Sequence, residues 1–169
     1  MSVKIDLTGK NILITGAGGS IGKEIVKKYL AAGANCICLD KSLKILRKIN
    51  FKQRSSKKII FFNINFEKKN FIKKISIKLK KIKKIDVLIN NAGFSFTNSF
   101  HKYKLTDWEK TLKINLTTPF LLSQLISNNF MKTGGSIINI TSLAAEQGFP
   151  KNVAYVSSKG GLKQLTKAM

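Results

Sequence analysis

The sequence predicts an α/β domain in which helices cover both faces of a doubly wound parallel sheet. Short apolar segments rich in β-branched residues alternate with segments whose apolar residues recur at helical spacing, which is typical of parallel strands joined by crossover helices. A glycine-rich turn directly follows the first apolar segment, as expected at the carboxyl end of a strand in such a sheet. The chain has 169 residues and is 43% hydrophobic, so we expect residues 1–169 to form a single domain with one core.

Five strands are expected, each mostly apolar because both faces of the sheet are covered. They span 11–15, 35–40, 58–63, 86–90 and 136–140. Right-handed crossovers with a reversal after the third strand predict the order 3-2-1-4-5. That order places a ligand crevice at the carboxyl ends of strands 1 and 4.

Helices are expected between the strands, at 20–32, 42–49, 71–83, 107–130 and from 153 onward. The fourth begins with Thr106-Asp-Trp-Glu109, which predicts a capping box. Pro119 lies within the same helix, and because proline has no N–H to donate, a kink is expected that frees the Asn115 carbonyl. The last helix keeps an apolar face up to Met169 with no glycine or proline stop, so we expect the fold to continue beyond it.

The charge is strongly basic: 31 Lys+Arg against 8 Asp+Glu give a net charge of +23, which raises nucleic acid or an anionic membrane as a partner. Only Arg47 and Arg54 are arginines, whereas direct reading of bases relies on arginine. Nine lysines between 68 and 84 alternate with an apolar stripe, which is typical of a helix with one solvated face. We expect no specific nucleic-acid partner and no membrane insertion, only salt-sensitive association with polyanions.

The expected location is the cytoplasm. No apolar run approaches the roughly 20 residues that span a bilayer, and the N-terminus lacks the pattern of a secretion signal. Cys36 and Cys38 would share one face of a strand. We expect them to be buried thiols of a reducing compartment rather than metal ligands.

The turn Thr15-Gly-Ala-Gly-Gly-Ser-Ile-Gly22 predicts a dinucleotide site. Its glycines allow the backbone to approach a pyrophosphate closely, and the next helix faces that group with its positive end. Asp40 ends the second strand, where a carboxylate can accept both ribose hydroxyls of the adenosine and repel a 2′-phosphate. This favours NAD over NADP, although the Lys41 ammonium would partly neutralise the carboxylate and keeps NADP as an alternative.

Tyr155 and Lys159 are four residues apart and share one face of the last predicted helix. An ammonium there favours phenolate over phenol, which suits Tyr155 as the acid for ketone reduction and the base for alcohol oxidation. Ser142, at the end of the fifth strand, is expected to hydrogen-bond the substrate oxygen. Lys159 would also reach the nicotinamide ribose, and Asn115 would hold a water that replenishes the proton. These residues predict hydride transfer between a nicotinamide cofactor and a secondary alcohol or ketone.

In this order, the motifs closely resemble the short-chain dehydrogenase/reductase family over essentially the whole chain. The resemblance includes Asn90-Asn-Ala-Gly93, Asn115-Leu and residues 135–142. It implies a Rossmann-type fold and simple relatives such as 3-oxoacyl-acyl-carrier-protein reductases and gluconate or glucose dehydrogenases. The family's catalytic tetrad would map onto Asn115, Ser142, Tyr155 and Lys159. The cofactor-binding positions would be Thr15, Gly16, Gly19, Ser20, Ile21, Gly22, Asp40, Asn63, Ile64, Asn91, Ala92, Gly93, Tyr155 and Lys159.

Three features depart from the common family pattern. Ser20 replaces a glycine, and the resulting turn resembles the family's extended branch, so a sugar-nucleotide epimerase or dehydratase is an alternative. Asn63 replaces the usual Asp near the adenine, where an amide oxygen can still accept a hydrogen bond. Members run to about 250 residues, so we expect the last strands to be missing here, which makes a non-catalytic nucleotide-binding remnant a further alternative. The resemblance implies a homodimer or homotetramer for the full-length protein, through its fourth and fifth helices.

Overall fold

The computed structural model describes residues 5–42 and 59–169, and its five parallel strands lie in the order β3-β2-β1-β4-β5. The strands are β1 (Asn11–Thr15), β2 (Asn35–Asp40), β3 (Ile59–Asn63), β4 (Val87–Asn90) and β5 (Ser136–Asn139). The predicted α/β class and strand order are confirmed. Ile14 pairs with both Cys38 and Ile89, so the carboxyl ends of β1, β2 and β4 are aligned.

The described helices are α1 (Ser20–Ala31), α2 (Phe71–Leu79), α3 (Leu105–Leu112), α4 (Thr118–Phe130) and α5 (Val153–Ala168), with single 3₁₀ turns at Phe100–Lys102 and Leu143–Ala145. The helix predicted at 42–49 lies almost entirely outside the described residues. The prediction that α2 continues to residue 83 was wrong. Four lysines between 80 and 84 repel one another, and the Ile82 amide instead donates to the Leu79 carbonyl in a turn toward the buried Ile85.

The helix predicted at 107–130 is interrupted by a π turn at Lys113–Thr117. The Thr118 amide donates to the Lys113 carbonyl five residues back, and the Thr118 hydroxyl donates to the same oxygen at 2.8 Å. Pro119, which has no amide hydrogen, follows at the start of α4. The irregularity expected before Pro119 therefore takes the form of one wider turn, and this turn contains Asn115.

The predicted capping box is not formed. Lys104 is the residue that precedes α3, and no side chain caps this helix. The Asp107 and Trp108 amides both donate to the Lys104 carbonyl. Thr106 therefore already lies in the first turn, where its hydroxyl is not placed to cap the helix.

The sheet separates two apolar cores, one packed against α2 and α4 and the other against α1. Cys36 and Cys38 are fully buried free thiols in the α1 core, on the same face of β2. Burial raises the pKa of the Cys36 thiol to about 12 and also raises that of Cys38. None of the helices in the described ranges combines the length and apolar content that a membrane crossing requires.

Candidate active site

A cleft of about 570 Å³ lies beside the ends of the strands, where the crevice was predicted. Its lining residues lie at or just past the ends of the five strands, in the first turn of α1, in the π turn and on α5. They are Gly16, Gly19, Ser20, Ile21, Gly22, Asp40, Lys41, Asn65, Phe66, Glu67, Asn91, Ala92, Gly93, Phe94, Ser95, Ile114, Ile140, Thr141, Tyr155 and Lys159. The cleft therefore brings together the glycine-rich turn, Asp40, and the Tyr155 and Lys159 pair.

The glycine-rich turn is packed tightly against the segment that follows β4. Gly16 has a φ of 63°, and a Cβ there would lie 2.8 Å from Ala92 Cα. Gly19 precedes α1 and supplies no capping side chain, and there is no acidic residue in the first turn of α1. The first amides of α1 therefore have no side-chain partner at the edge of the cleft, which suits a phosphate group.

Thr15 does not line the cleft but holds the glycine-rich turn against the segment after β4. Its hydroxyl oxygen accepts hydrogen bonds from the Asn91 and Ala92 amides, both at 3.0 Å. In return, Asn91 Nδ2 donates to the Thr15 and Gly16 carbonyls at 3.0 and 3.1 Å. Thr15, with only 1% of its surface exposed, joins the loops after β1 and β4 and is not among the lining residues.

Asp40 reaches the cleft with both carboxylate oxygens already hydrogen-bonded to the backbone. Oδ2 accepts from the Gly18 amide at 3.0 Å, and Oδ1 accepts from the Ser42 amide at 3.1 Å. These bonds hold the carboxylate at the end of β2, beside the turn. Lys41 also lines the cleft.

Two of the predicted cofactor-binding residues, at the end of β3 and directly after it, do not line the cleft. Asn63 pairs with Asp40 across the strands, but its Nδ2 donates to the Lys41 carbonyl at 2.8 Å, and it is not among the lining residues. Ile64 is fully buried in the core. The wall after β3 is formed instead by Asn65, Phe66 and Glu67. None of these three was predicted, although their place just past a strand end is a signal for such residues.

Tyr155 and Lys159 face the cleft from α5, as their spacing predicted. Lys159 Nζ lies 5.7 Å from the centre of the Tyr155 ring and donates to the Ile140 carbonyl at 2.6 Å. Only 4% of Lys159 is exposed, and this burial lowers the pKa of its ammonium group. A buried cation close to a phenol ring, with both groups in the lining of one cleft, is able to take part in proton transfer.

Asn115 is fully buried behind the cleft. Its Oδ1 accepts from the Phe94 amide and its Nδ2 donates to the Phe94 carbonyl, both at 2.8 Å. Nδ2 also donates to Ser158 Oγ at 3.0 Å. The side chain thus holds the loop after β4 against α5, while the predicted water at its backbone carbonyl stays a prediction.

Ser142 lies just beyond β5 but is not among the residues that line the cleft. Its hydroxyl oxygen accepts from the Ala144 amide at 3.2 Å. The neighbouring Ile140 and Thr141 reach the cleft instead, and so do Phe94 and Ser95 after β4. None of these four was predicted, although each is within three residues of a motif.

Comparisons with known proteins agree with this architecture. The family model described as short chain dehydrogenase matches residues 10–169. The chain is 32% identical over 163 residues to 2-dehydro-3-deoxy-D-gluconate 5-dehydrogenase of Bacillus subtilis (strain 168), covering 96% of this chain and 64% of that protein. It is 33% identical over 167 residues to 3-oxoacyl-[acyl-carrier-protein] reductase FabG of Rickettsia typhi (strain ATCC VR-144 / Wilmington), covering 98% and 67%.

Among solved structures, NAD+-bound xylitol dehydrogenase is similar with a TM-score of 0.86 and 28% identity, over 95% of this chain and 64% of that one. The fold is that of a Rossmann-type α/β domain. The chain belongs to the short-chain dehydrogenase/reductase family, a family of oxidoreductases. It spans slightly less than two thirds of the length of the Bacillus relative.

Proposed function

We propose that this chain forms the cofactor-binding and proton-transferring part of an NAD-dependent oxidoreductase that interconverts a secondary alcohol and a ketone. One observation supports the proposal most directly. Tyr155 and Lys159 line the same cleft as the glycine-rich turn, the uncapped start of α1 and Asp40. A proton-transferring group and a phosphate-binding turn within one cleft are what hydride transfer to or from a nicotinamide requires.

The residues present fit an NAD molecule. The turn at Gly16–Ser20 and the first amides of α1 would hold the pyrophosphate, and the Asp40 carboxylate would accept the adenosine ribose hydroxyls. A fixed carboxylate at the end of β2 repels a 2′-phosphate, which supports NAD over NADP. Lys41 in the same wall keeps NADP as the alternative.

Tyr155 is the proposed acid and base. In alcohol oxidation the Tyr155 phenolate takes the hydroxyl proton while the carbinol carbon gives up a hydride, and in ketone reduction the phenol returns the proton to the oxygen. The nicotinamide ring, when bound, accepts or supplies the hydride. Lys159 stabilises the phenolate by its charge, and the Ser142 hydroxyl, whose oxygen already accepts from the Ala144 amide, can donate a hydrogen bond to the substrate oxygen.

The proposed substrate class is a small molecule with a secondary alcohol or ketone: a sugar acid, a polyol or a 3-oxoacyl thioester. The similar proteins are named for a gluconate derivative, xylitol and a 3-oxoacyl group. We also propose a cytoplasmic location, which the two buried free thiols support. The exposed side chains of Phe100, Leu105 and Phe120 support self-association into a homodimer or homotetramer, which light scattering would test.

Replacing Tyr155 by phenylalanine tests the proton-transfer role. Tyr155→Phe removes the hydroxyl but keeps the ring, so NAD binding should be retained while NADH-linked turnover falls by about 10²–10⁴-fold. Tyr29→Phe is the matched control, because Tyr29 lies on α1 outside the cleft-lining set and its variant should keep turnover. Unchanged turnover in the Tyr155→Phe protein would refute the assigned role.

The remnant alternative is tested with the 169-residue chain itself. Thermal denaturation with and without NAD reports binding, and a screen of alcohols and ketones reports turnover. Stabilisation by NAD without turnover of any substrate would favour a nucleotide-binding remnant over an enzyme. Stable net NADH formation from an alcohol would favour the dehydrogenase over both the remnant and the epimerase.

A further inference from the structure

We propose that Asn152 is a positioning residue, which holds the loop after β4 against the start of α5 so that Tyr155 faces the cleft correctly. This inference rests on the proposed function. Asn152 Oδ1 accepts hydrogen bonds from Ser95 Oγ and Thr97 Oγ1, each at 3.2 Å. Beside them, the Asn98 amide donates to the Lys151 carbonyl at 2.9 Å. Three hydrogen bonds thus join two segments more than 50 residues apart in the chain.

The position of Asn152 makes this use of its side chain informative. Asn152 directly precedes α5, and asparagine at that position ordinarily accepts a hydrogen bond from an amide in the first turn of its own helix. Here α5 receives no side-chain cap. Asn152 Oδ1 does not form this capping hydrogen bond, which ordinarily stabilises a helix by about 0.5–2 kcal/mol. It instead accepts hydrogen bonds from the Ser95 and Thr97 hydroxyls.

The backbone before Asn152 is also unusual. Lys151 has a φ of 64°, and it is the only residue other than glycine with a positive φ in the described ranges 5–42 and 59–169. Such a conformation costs about 1–3 kcal/mol and persists where the surrounding contacts enforce it. Asn152 Nδ2 donates to the Pro150 carbonyl at 3.3 Å across this turn, so the strained turn and the amide that binds Ser95 and Thr97 form one unit.

Both joined segments lead into the candidate active site. Phe94 and Ser95 line the cleft, and Tyr155 lies three residues after Asn152. Asn115 holds the other end of the loop through its two bonds to Phe94, and it also contacts Ser158, whose hydroxyl donates to the Tyr155 carbonyl at 2.7 Å. The loop is therefore fastened to α5 on both sides of Tyr155, by Asn115 from within and by Asn152 at the surface.

The consequence for chemistry is geometric. Tyr155 and the wall at Phe94 and Ser95 would face the same substrate, and a displacement of about 1 Å between reacting groups can lower a rate by about 10²-fold. The glycine-rich turn and Asp40 are held by other contacts. Loss of the Asn152 contacts should therefore lower kcat and leave NAD affinity intact.

Asn152→Ala and Asn152→Asp form the test, in the enzyme expressed from its own gene. Asn152→Ala should lower kcat by about 10–100-fold with the Kd for NAD unchanged within about two-fold. Asn152→Asp keeps acceptor oxygens for Ser95 and Thr97 and loses only the longer bond to the Pro150 carbonyl, so kcat should recover to within about three-fold of the parent. Asn129→Ala, at an exposed asparagine near the end of α4 whose Nδ2 donates to the Leu125 carbonyl, is the control and should leave kcat unchanged.

A double-mutant cycle and hydrogen exchange separate positioning from general destabilisation. Ser95→Ala combined with Thr97→Val should lower kcat as Asn152→Ala does, and adding Asn152→Ala should then have little further effect. Exchange of the Asn98 amide should accelerate in Asn152→Ala but not in Asn152→Asp, whether or not a substrate is known.

An Asn152→Ala protein with unchanged kcat, or equal behaviour of the Ala and Asp variants, would overturn this inference alone. Absence of hydride transfer in the unsubstituted protein would overturn the proposed function, and the positioning role with it.

Discussion

Gly22 has almost no free space around its Cα hydrogens. A Cβ at this position would lie 2.2 Å from the Gly16 carbonyl oxygen and 2.9 Å from Ala17 Cα. Gly160, on α5, has nothing within 4 Å of the equivalent point. The difference comes from packing: α1 begins directly above the turn that leaves β1, so even a methyl group at Gly22 must displace the turn.

Gly22→Ala should therefore weaken both folding and NAD binding. We expect a loss of about 1–3 kcal/mol of stability from overpacking and a reduced NAD affinity, because the displaced backbone includes the amides of the turn. Gly160→Ala is the matched control and should gain about 0.5–1 kcal/mol, since alanine is the better helix former. Thermal denaturation and NAD titration of the two variants measure these effects, and equal NAD affinity in both would contradict the expectation.

At the level of the elements, Asp86 fastens the beginning of β1 to the beginning of β4. Its Oδ2 accepts from the Asn11 amide at 2.9 Å, and its Oδ1 pairs with Lys84 at 3.1 Å and Lys10 at 3.7 Å. Partial burial alone would raise the pKa of the Asp86 carboxyl, but the hydrogen bond from Asn11 and the two ammonium groups outweigh it and lower that pKa below 3.8. The charged form is therefore the one that stabilises the alignment of the two central strands.

Asp86→Asn should lower the free energy of unfolding by about 1–3 kcal/mol at neutral pH. Because the folded-state pKa is lowered, the contribution of the carboxylate is fully present above 3.8 and is lost as the pH falls through the lowered value. Urea denaturation of the parent and the variant at several pH values measures the difference, which should shrink in acid. Glu24→Gln, at the exposed pair with Lys27, is the control and should change stability by less than about 1 kcal/mol. A difference between the parent and the Asp86→Asn protein that does not change with pH would contradict the role of the charge.

Charge is a property of the whole molecule, and at +23 it acts well beyond any single site. On α2, Phe71, Ile75 and Leu79 are buried, while Lys73 and Lys74 are exposed, so the predicted division into apolar and solvated faces is confirmed. Exposed ammonium groups of this kind attract polyanions by releasing counterions, without reading a sequence.

Binding to a single-stranded oligonucleotide should therefore depend steeply on salt and little on base sequence. We expect the affinity measured by fluorescence anisotropy to fall by orders of magnitude between about 50 and 500 mM salt, with NAD failing to compete. A matched run with a scrambled oligonucleotide should give the same curve. Affinity that persists at high salt, or that differs between the two oligonucleotides, would point to a specific nucleic-acid function.

The sheet order, the location of the cleft and the shared face of Tyr155 and Lys159 were all predictable from the sequence. Strands of this type are read from short apolar runs, their order follows from crossover handedness, and a spacing of four residues determines a helix face. These features depend on the chain's local pattern or on general rules of connection. These features do not depend on which side chains fill the space between the elements.

The sequence did not show how the side chains around the cleft are used, because each use depends on a contact between distant segments. The Thr15 hydroxyl accepts a hydrogen bond from an amide after β4, and Asn115 accepts one from the Phe94 amide. Asn152 accepts hydrogen bonds from the Ser95 and Thr97 hydroxyls. A polar side chain at a strand end or helix start can hydrogen-bond either the backbone next to it or a group in a distant segment. The packing of the elements determines which of these partners is within reach. Residue types and spacing thus identify the family to which the chain belongs, while the tertiary contacts determine which of its polar residues face the cleft and which hold the cleft together.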